Sequence, residues 1–191
     1  MYLSLRQEQR PDCIVSASNE RRMKPEEHII HPFGPYVPGN ASILILGSFP
    51  SVKSREQMFF YGHPQNRFWR VLAALLSSAV PETIEEKKRL LDRYGIALWD
   101  VIGSCTIRGS ADASITDVMP NDIAPILRDH SIGRIYVNGK TAARFYNRYQ
   151  KPVLGCEAIV LPSTSPANAQ YSLEKLIFEW SVIISHAEQS G

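Results

Sequence analysis

Thiols are few and scattered. Cys13, Cys105 and Cys156 are the only three cysteines, an odd number at wide spacing with no C-x-x-C pair, so the sequence signals neither a disulfide framework nor a zinc or iron–sulfur site. They read as buried or idle thiols, and no metal or other cofactor is expected. Long apolar runs are missing as well: nothing approaches the roughly 18 apolar residues of a membrane span. The N-terminus, with Arg6, Glu8, Arg10 and Asp12, lacks the apolar stretch of a secretion signal. A soluble, cytoplasmic protein without membrane attachment is the expectation. Charge of one sign is also lacking. A formal net charge of +2 is far from the basic excess of a protein that coats nucleic acid without selectivity, so any phosphate contact must come from local placement. The chain has no internal repeat, no G-x-x-x-x-G-K-[ST] loop and no dense carboxylate cluster, which argues against a small-nucleotide hydrolase.

What is present suits one α/β domain: 191 residues, 44% of them hydrophobic, suffice for a single core and not for two comfortable ones. A monomer is the default for that size. Residues 1–27 are polar, and the cluster Glu20, Arg21, Arg22, Lys24, Glu26, Glu27 reads as a solvated arm or frayed helix. The catalytic domain is set at residues 28–188, with its ordered chain beginning near His31-Pro32-Phe33-Gly34-Pro35, where the prolines favour extended backbone.

Ser42 to Leu46 is a continuous apolar run closed by Gly47, as in a strand buried on both faces. Phe68, Val71, Leu72, Leu75 and Leu76 have helical spacing. Residues 83–94 form a second helix stopped by Gly95, and Ile96 to Ile102 a second core strand. Further on, Asn121 to His130 reads as helix, Arg134 to Asn138 as strand, Lys140 to Tyr149 as helix, Ala158 to Leu161 as strand and Leu173 to Ser185 as the closing helix. Alternation of this kind predicts a three-layer α/β/α fold around a mainly parallel four-stranded sheet. Ligands of such a sheet bind outside the carboxyl ends of the strands. The chain just after Gly47, Asp100 and Leu161 is therefore where chemistry is sought.

Two segments there are unusual. Gly47-Ser48-Phe49-Pro50-Ser51 is followed by Met58-Phe59-Phe60-Tyr61-Gly62-His63-Pro64-Gln65-Asn66-Arg67-Phe68-Trp69. Taken singly, these residues are turn and core material. Together they offer stacking faces beside amide, imidazole and guanidinium edges, the two requirements of a pocket for a planar heterocycle. Pro162-Ser163-Thr164-Ser165-Pro166-Ala167-Asn168 is rigid, small and rich in hydroxyls. It serves equally as a strand-to-helix loop with a capping side chain or as a surface for a sugar-phosphate backbone.

These motifs resemble the mismatch-specific uracil and thymine DNA glycosylases, which share Gly-x-x-Pro after the first strand, His-Pro-x-Asn-Arg-Phe-Trp and a late Pro-Ser-Ser/Thr-Ser. The wording Gly-Ser-Phe-Pro-Ser with Tyr-Gly-His-Pro-Gln-Asn-Arg-Phe-Trp is similar to the hypoxanthine-DNA glycosylase branch of the uracil-DNA glycosylase superfamily, from about His31 to the closing helix. The resemblance implies a monofunctional enzyme of base excision repair that flips a deaminated base out of DNA and hydrolyses its N-glycosidic bond, without cofactor. Mismatch-specific relatives carry a water-positioning Asn where this chain has Phe49. The branch with the same replacement relies on the amide that is Asn66 here, which becomes the catalytic candidate. Tyr61 matches the aromatic that stacks on the flipped base. The residue heading the last motif, a His in the classical uracil enzymes, is Leu161, and Ala167 stands where relatives place a bulky wedge.

The expected site comprises Asn66 for catalysis and Gly47, Ser48, Phe49, Tyr61 and Asp100 around the base, stacking being assigned to Tyr61 or Phe49. Backbone N–H groups of 48–51 and 99–104 are further candidates. Ser51, Lys140, Ser163 and Ser165 are assigned to the DNA backbone, since hydroxyls and helix N-termini position phosphates. Asp100 reads equally as a base or sugar-cation partner and as a locally bonded strand end. Asp112 reads first as a loop residue, His63 as a turn residue, and Arg67 as a holder of the pocket. No Lys lies inside the aromatic motif to form a Schiff base with the sugar, so a strand-cleaving step is not expected. The competing functions are a uracil or mismatched-thymine glycosylase and, from another class, a silent module that binds nucleic acid by stacking.

Overall fold

The first described element starts within the stretch read as a polar arm. Glu26–Ile30 (β1) pairs antiparallel with Ile102–Arg108 (β4), from Glu26 opposite Arg108 to Ile30 opposite Ser104, in a computed structural model that describes residues 26–108 and 114–184. The charges of Glu26 and Glu27 do not oppose this, because both side chains are exposed and Glu26 pairs with Arg108 at 2.6 Å. Thr116–Pro120 (β5) completes a three-stranded antiparallel sheet, β1-β4-β5. This sheet is absent from the sequence-based expectation. Its central strand buries only Ile102, Cys105 and Ile107 among Gly, Ser and Thr, a half-buried pattern too weak to stand out.

The main sheet is the expected one. Ile43–Gly47 (β2) and Ile96–Asp100 (β3) are buried along their entire length, and such strands require cover on both faces. With Arg134–Asn138 (β6) and Ile159–Leu161 (β7), they make a four-stranded parallel sheet in the order β3-β2-β6-β7. In register, Gly47 stands opposite Asp100 and Asn138 opposite Leu161. The four carboxyl ends thus lie along one edge. The strand expected to run through Ile102 stops at Asp100, where Val101 N–H bonds to Gly47 O at 2.9 Å and Ile102 N–H to Ser48 O at 3.1 Å, turning the chain into β4.

Seven α-helices accompany the strands among the described residues: Val52–Gln57 (α1), Phe68–Leu75 (α2), Ile84–Tyr94 (α3), Ala124–Asp129 (α4), Lys140–Phe145 (α5), Lys151–Leu154 (α6) and Leu173–Trp180 (α7). A π-helical turn, Tyr146–Gln150, joins α5 to α6, and a 3-10 turn, Ser181–Ile183, ends α7. α3 starts at a capping box, in which Thr83 Oγ1 accepts from Glu86 N–H while the Glu86 carboxylate accepts from Thr83 N–H, and stops at Gly95. α2 buries Phe68, Val71 and Leu72, and the edge of Phe68 meets Trp180 of α7 at 5.7 Å between centroids. Each such fully buried side chain contributes roughly 1.5–3 kcal/mol, which fixes the aromatic segment ahead of α2 against the sheet. The helix read over 121–130 shortens to α4. Asn121 instead spends its side chain on Asp100 O at 2.8 Å and Ile102 O at 3.1 Å, and Asp122 caps Ala124 N–H.

Candidate active site

A carboxylate is buried where the two central strands end. Asp100 is 4% exposed, and its Oδ2 lies 2.9 Å from Nε2 of His31, whose side chain is 2% exposed. A buried carboxylate is tolerated only when hydrogen-bonded, and His31 supplies that hydrogen bond. The imidazole is in turn walled by Phe33, Trp99 and Phe49 at 4.5, 4.7 and 5.9 Å between centroids. Gly47 faces the carboxylate directly: a Cβ there would come within 2.1 Å of Asp100 Oδ1 and 3.5 Å of the Tyr61 hydroxyl. The missing side chain of Gly47 is what lets Asp100 and Tyr61 converge on one point.

Tyr61 reaches that point from a left-handed backbone conformation, φ 52°, with its ring stacked on Phe68 at 3.7 Å. Its hydroxyl is buried and, like His31 Nδ1, has no hydrogen-bond partner among the described residues. Burial, reinforced by the negative charge of Asp100 and offset in part by the Asn138 amide, holds the phenol far above its ordinary pKa. The group is therefore a neutral donor, aimed at the strand ends. Five residues on, Asn66 takes a 2.8 Å bond from its own N–H to His63 O, and its Oδ1 accepts from Phe68 N–H at 3.0 Å, in front of α2. His63 Nδ1 accepts from Gln65 N–H at 3.2 Å, the turn role expected of it. Tyr61 and Asn66 share one wall of a cavity of about 530 Å³ that also meets Trp69, Arg70 and, from α3, Lys87.

Arg67 ties this segment to the last strand. Its guanidinium donates to the carbonyls of Thr164, Ser165, Asn168 and Tyr171, reaching Ser165 O at 2.7 Å and Asn168 O at 3.0 Å. Four carbonyls aimed at one planar fork suit Arg and no other side chain. From the far side, Asn138 at the end of β6 donates to Thr164 Oγ1 at 2.9 Å and accepts from Thr164 N–H at 3.0 Å. Gly139, at φ 95°, leaves no room for a Cβ, which would lie 2.7 Å from the Cβ of Ser163. The hydroxyl-rich loop is thus held from two directions. Its hydroxyls also cap it locally: Ser163 Oγ accepts from Ser165 N–H and Ser165 Oγ from Ala167 N–H.

Residues 33–182 match the model of the uracil DNA glycosylase superfamily. The chain belongs to that superfamily. Curated relatives include a hypoxanthine DNA glycosylase of Methanosarcina acetivorans, 34% identical over 152 residues that make up 77% of this chain and 92% of that protein. Another of the same name, from Methanosarcina barkeri, is 35% identical over 143 residues, 71% of this chain and 86% of that one. Among solved structures, the solution NMR structure of a Methanosarcina acetivorans protein, designated a candidate uracil DNA glycosylase, superposes with a TM-score of 0.72 at 32% identity, covering 84% of this chain and 99% of that one.

In this member of the superfamily, Gly47, Tyr61 and Asp100 come together, with Ser48 next in the chain. Phe49 lies beneath them, 8% exposed, edge-on to His31 and under the Arg55 guanidinium. Asn66 sits at the adjoining cavity. Ser51 caps α1, accepting from Ser54 N–H at 3.2 Å, and Lys140 is exposed at the start of α5. Asp112 lies outside the described residues. The sequence gives no sign that His31, Asn138 or Lys87 belongs to the site: His31 marks only the start of the domain there, and its partner is 69 residues away.

Proposed function

We propose that this enzyme is a monofunctional DNA glycosylase that removes hypoxanthine from deoxyinosine. The observation that carries the reading is that Tyr61, whose hydroxyl faces Gly47 and Asp100 at the strand ends, lines one cavity together with Asn66, combined with Phe49 in the place where mismatch-specific relatives carry an amide. The extruded base stacks on the Tyr61 ring with its edge toward Gly47, Ser48 and Asp100. Flipping costs a few kcal/mol, and least for an ill-paired base such as inosine opposite thymine, so the weakness of the lesion contributes to selectivity.

Departure of the base leaves an oxocarbenium-like sugar, to which one water adds at C1′; its proton is released to the leaving base or to solvent. Asn66 orients that water. An amide needs no pKa near 7 for the task, and its Oδ1 is already fixed by Phe68 N–H, so little reorganisation accompanies the transition state. The names of the two Methanosarcina relatives agree with this substrate. Ser163 and Ser165 accept backbone N–H groups through Oγ, which leaves a hydroxyl proton on each to give to a phosphate oxygen; Ser51 Oγ, which accepts from Ser54 N–H and shares a 3.0 Å bond with Ser54 Oγ, and the exposed charge of Lys140 complete the backbone contacts.

The test is single-turnover incubation with duplexes bearing one inosine, uracil, xanthine or mismatched thymine, followed by hot alkali. Abasic sites formed at inosine are the expected result. Cleavage confined to uracil or thymine moves the substrate within the superfamily, and binding without cleavage identifies a silent module.

A further inference from the structure

The cavity of about 530 Å³ has a second wall, formed by the chain ahead of α3 and the helix's first turns. Lys87 stands on it. This residue is 8% exposed, and among the described residues it forms no ion pair and no side-chain hydrogen bond. Its ammonium rests over the Trp69 ring, 5.3 Å from the centroid, and burial pushes its pKa down. The acidic neighbours on α3 are committed elsewhere: the Glu86 carboxylate to the N–H groups of Glu82 and Thr83, and Glu85 to Lys88 at 3.6 Å. Arg70 lines the same cavity and adds a second cation, against the single carboxylate of Glu82. A neutral base could fill the space but would leave this charge uncompensated. An anion would not.

From this arrangement we infer that Lys87, assisted by Arg70, is a phosphate subsite that seats a phosphodiester of the lesion-bearing strand beside the extruded nucleotide. The inference rests on the glycosylase reading for its ligand. A nucleotide whose base lies at Tyr61 and whose glycosidic bond lies at Asn66 carries its own phosphates within one nucleotide's length, and both residues border the cavity that Lys87 enters. Trp69 fixes the ammonium from below while leaving its N–H groups to the phosphate oxygens.

The experiment uses the full chain and a labelled duplex containing a tetrahydrofuran abasic-site analogue, so that binding is read without excision, at a series of KCl concentrations. In Lys87→Met, which keeps the apolar stem over Trp69, the slope of log K against log salt should become shallower by about one, with affinity about fivefold lower at low salt. Lys87→Arg should restore both. A methylphosphonate walked along the lesion strand should weaken wild type at one phosphate to which Lys87→Met is indifferent. An unchanged slope, or equal sensitivity of both proteins at every phosphate, overturns the subsite. So does a covalent adduct trapped by borohydride on an inosine duplex, where loss of the base exposes the C1′ aldehyde, if Lys87→Met abolishes it, since the amine would then be acting on the sugar. Excision of hypoxanthine is scored separately: excision with an unchanged slope removes the subsite alone, and a Lys87-dependent slope without excision removes the glycosylase reading alone.

Discussion

Nε2 of His31 and Oδ2 of Asp100 meet at 2.9 Å with both side chains almost wholly buried. His31 is delivered by the antiparallel sheet, its N–H bonded to Gly103 O at 2.7 Å, and Asp100 by the parallel one. The pair therefore fastens the two sheets together at the strand ends, and it fixes the carboxylate that Gly47 makes room for.

Removing one partner should strand the other. His31→Ala is expected to cost about 3–5 kcal/mol, the usual penalty for an unpaired buried charge, read as a lowered midpoint in urea. A loss below about 1 kcal/mol would mean that Asp100 finds other compensation.

Gly47→Ala probes the same point from the other side. Its Cβ would overlap Asp100 Oδ1, which His31 prevents from moving away, so both stability and excision should fall. The double variant Gly47→Ala/Asp100→Ala should recover stability relative to Gly47→Ala with Asp100 intact. Additive losses would show that the conflict lies elsewhere.

Tyr61→Phe removes a buried hydroxyl that meets no hydrogen-bond partner within bonding distance among the described residues. Stability should stay level or rise by up to about 1 kcal/mol, because an unsatisfied buried polar group is a net cost, while base reading at the strand ends weakens. The phenol's raised pKa gives an alkaline signature. Tyr61 keeps its proton above pH ~10, where ordinary tyrosines ionise, and the stability linked to that proton is present below this pH and fades as pH climbs toward the folded-state value. The absorbance titration of wild type minus Tyr61→Phe should show no step near pH 10; a step there would contradict the burial of the hydroxyl.

Asn66→Ala should lower the single-turnover excision rate by about 10²–10³-fold, the range seen when one preorganised polar group is removed from a reaction centre. It also deletes the bond to Phe68 N–H, at a stability cost of about 1 kcal/mol, so folding is checked by circular dichroism. Near wild-type excision by the folded variant would remove Asn66 from catalysis.

Arg67→Lys replaces a fork that serves four carbonyls by a single ammonium. Amide hydrogen exchange at Ala167–Tyr171 should accelerate at least tenfold, with the sheet unaffected. Unchanged exchange would mean that the Asn138–Thr164 bonds suffice to hold the loop.

The sequence by itself determined the parallel sheet, since fully apolar runs such as Ile43 to Leu46 have no stable place except inside one. It also determined the stop of α3 at Gly95, and it placed the aromatic and hydroxyl segments at strand ends, because their residue types are legible without knowing their neighbours. The tertiary structure alone decided which side chains meet. His31 with Asp100, Asn138 with Thr164, and Lys87 with the wall bearing Tyr61 and Asn66 are contacts between segments distant in the chain, and local periodicity carries no record of them. It decided the antiparallel sheet too, whose strands are half-polar and gain their stability from pairing with one another. It also set Phe49 beneath the site: a phenylalanine after Gly47-Ser48 has the chemistry either to stack on a base or to pack in a core, and here the ring packs inward against His31 and Arg55.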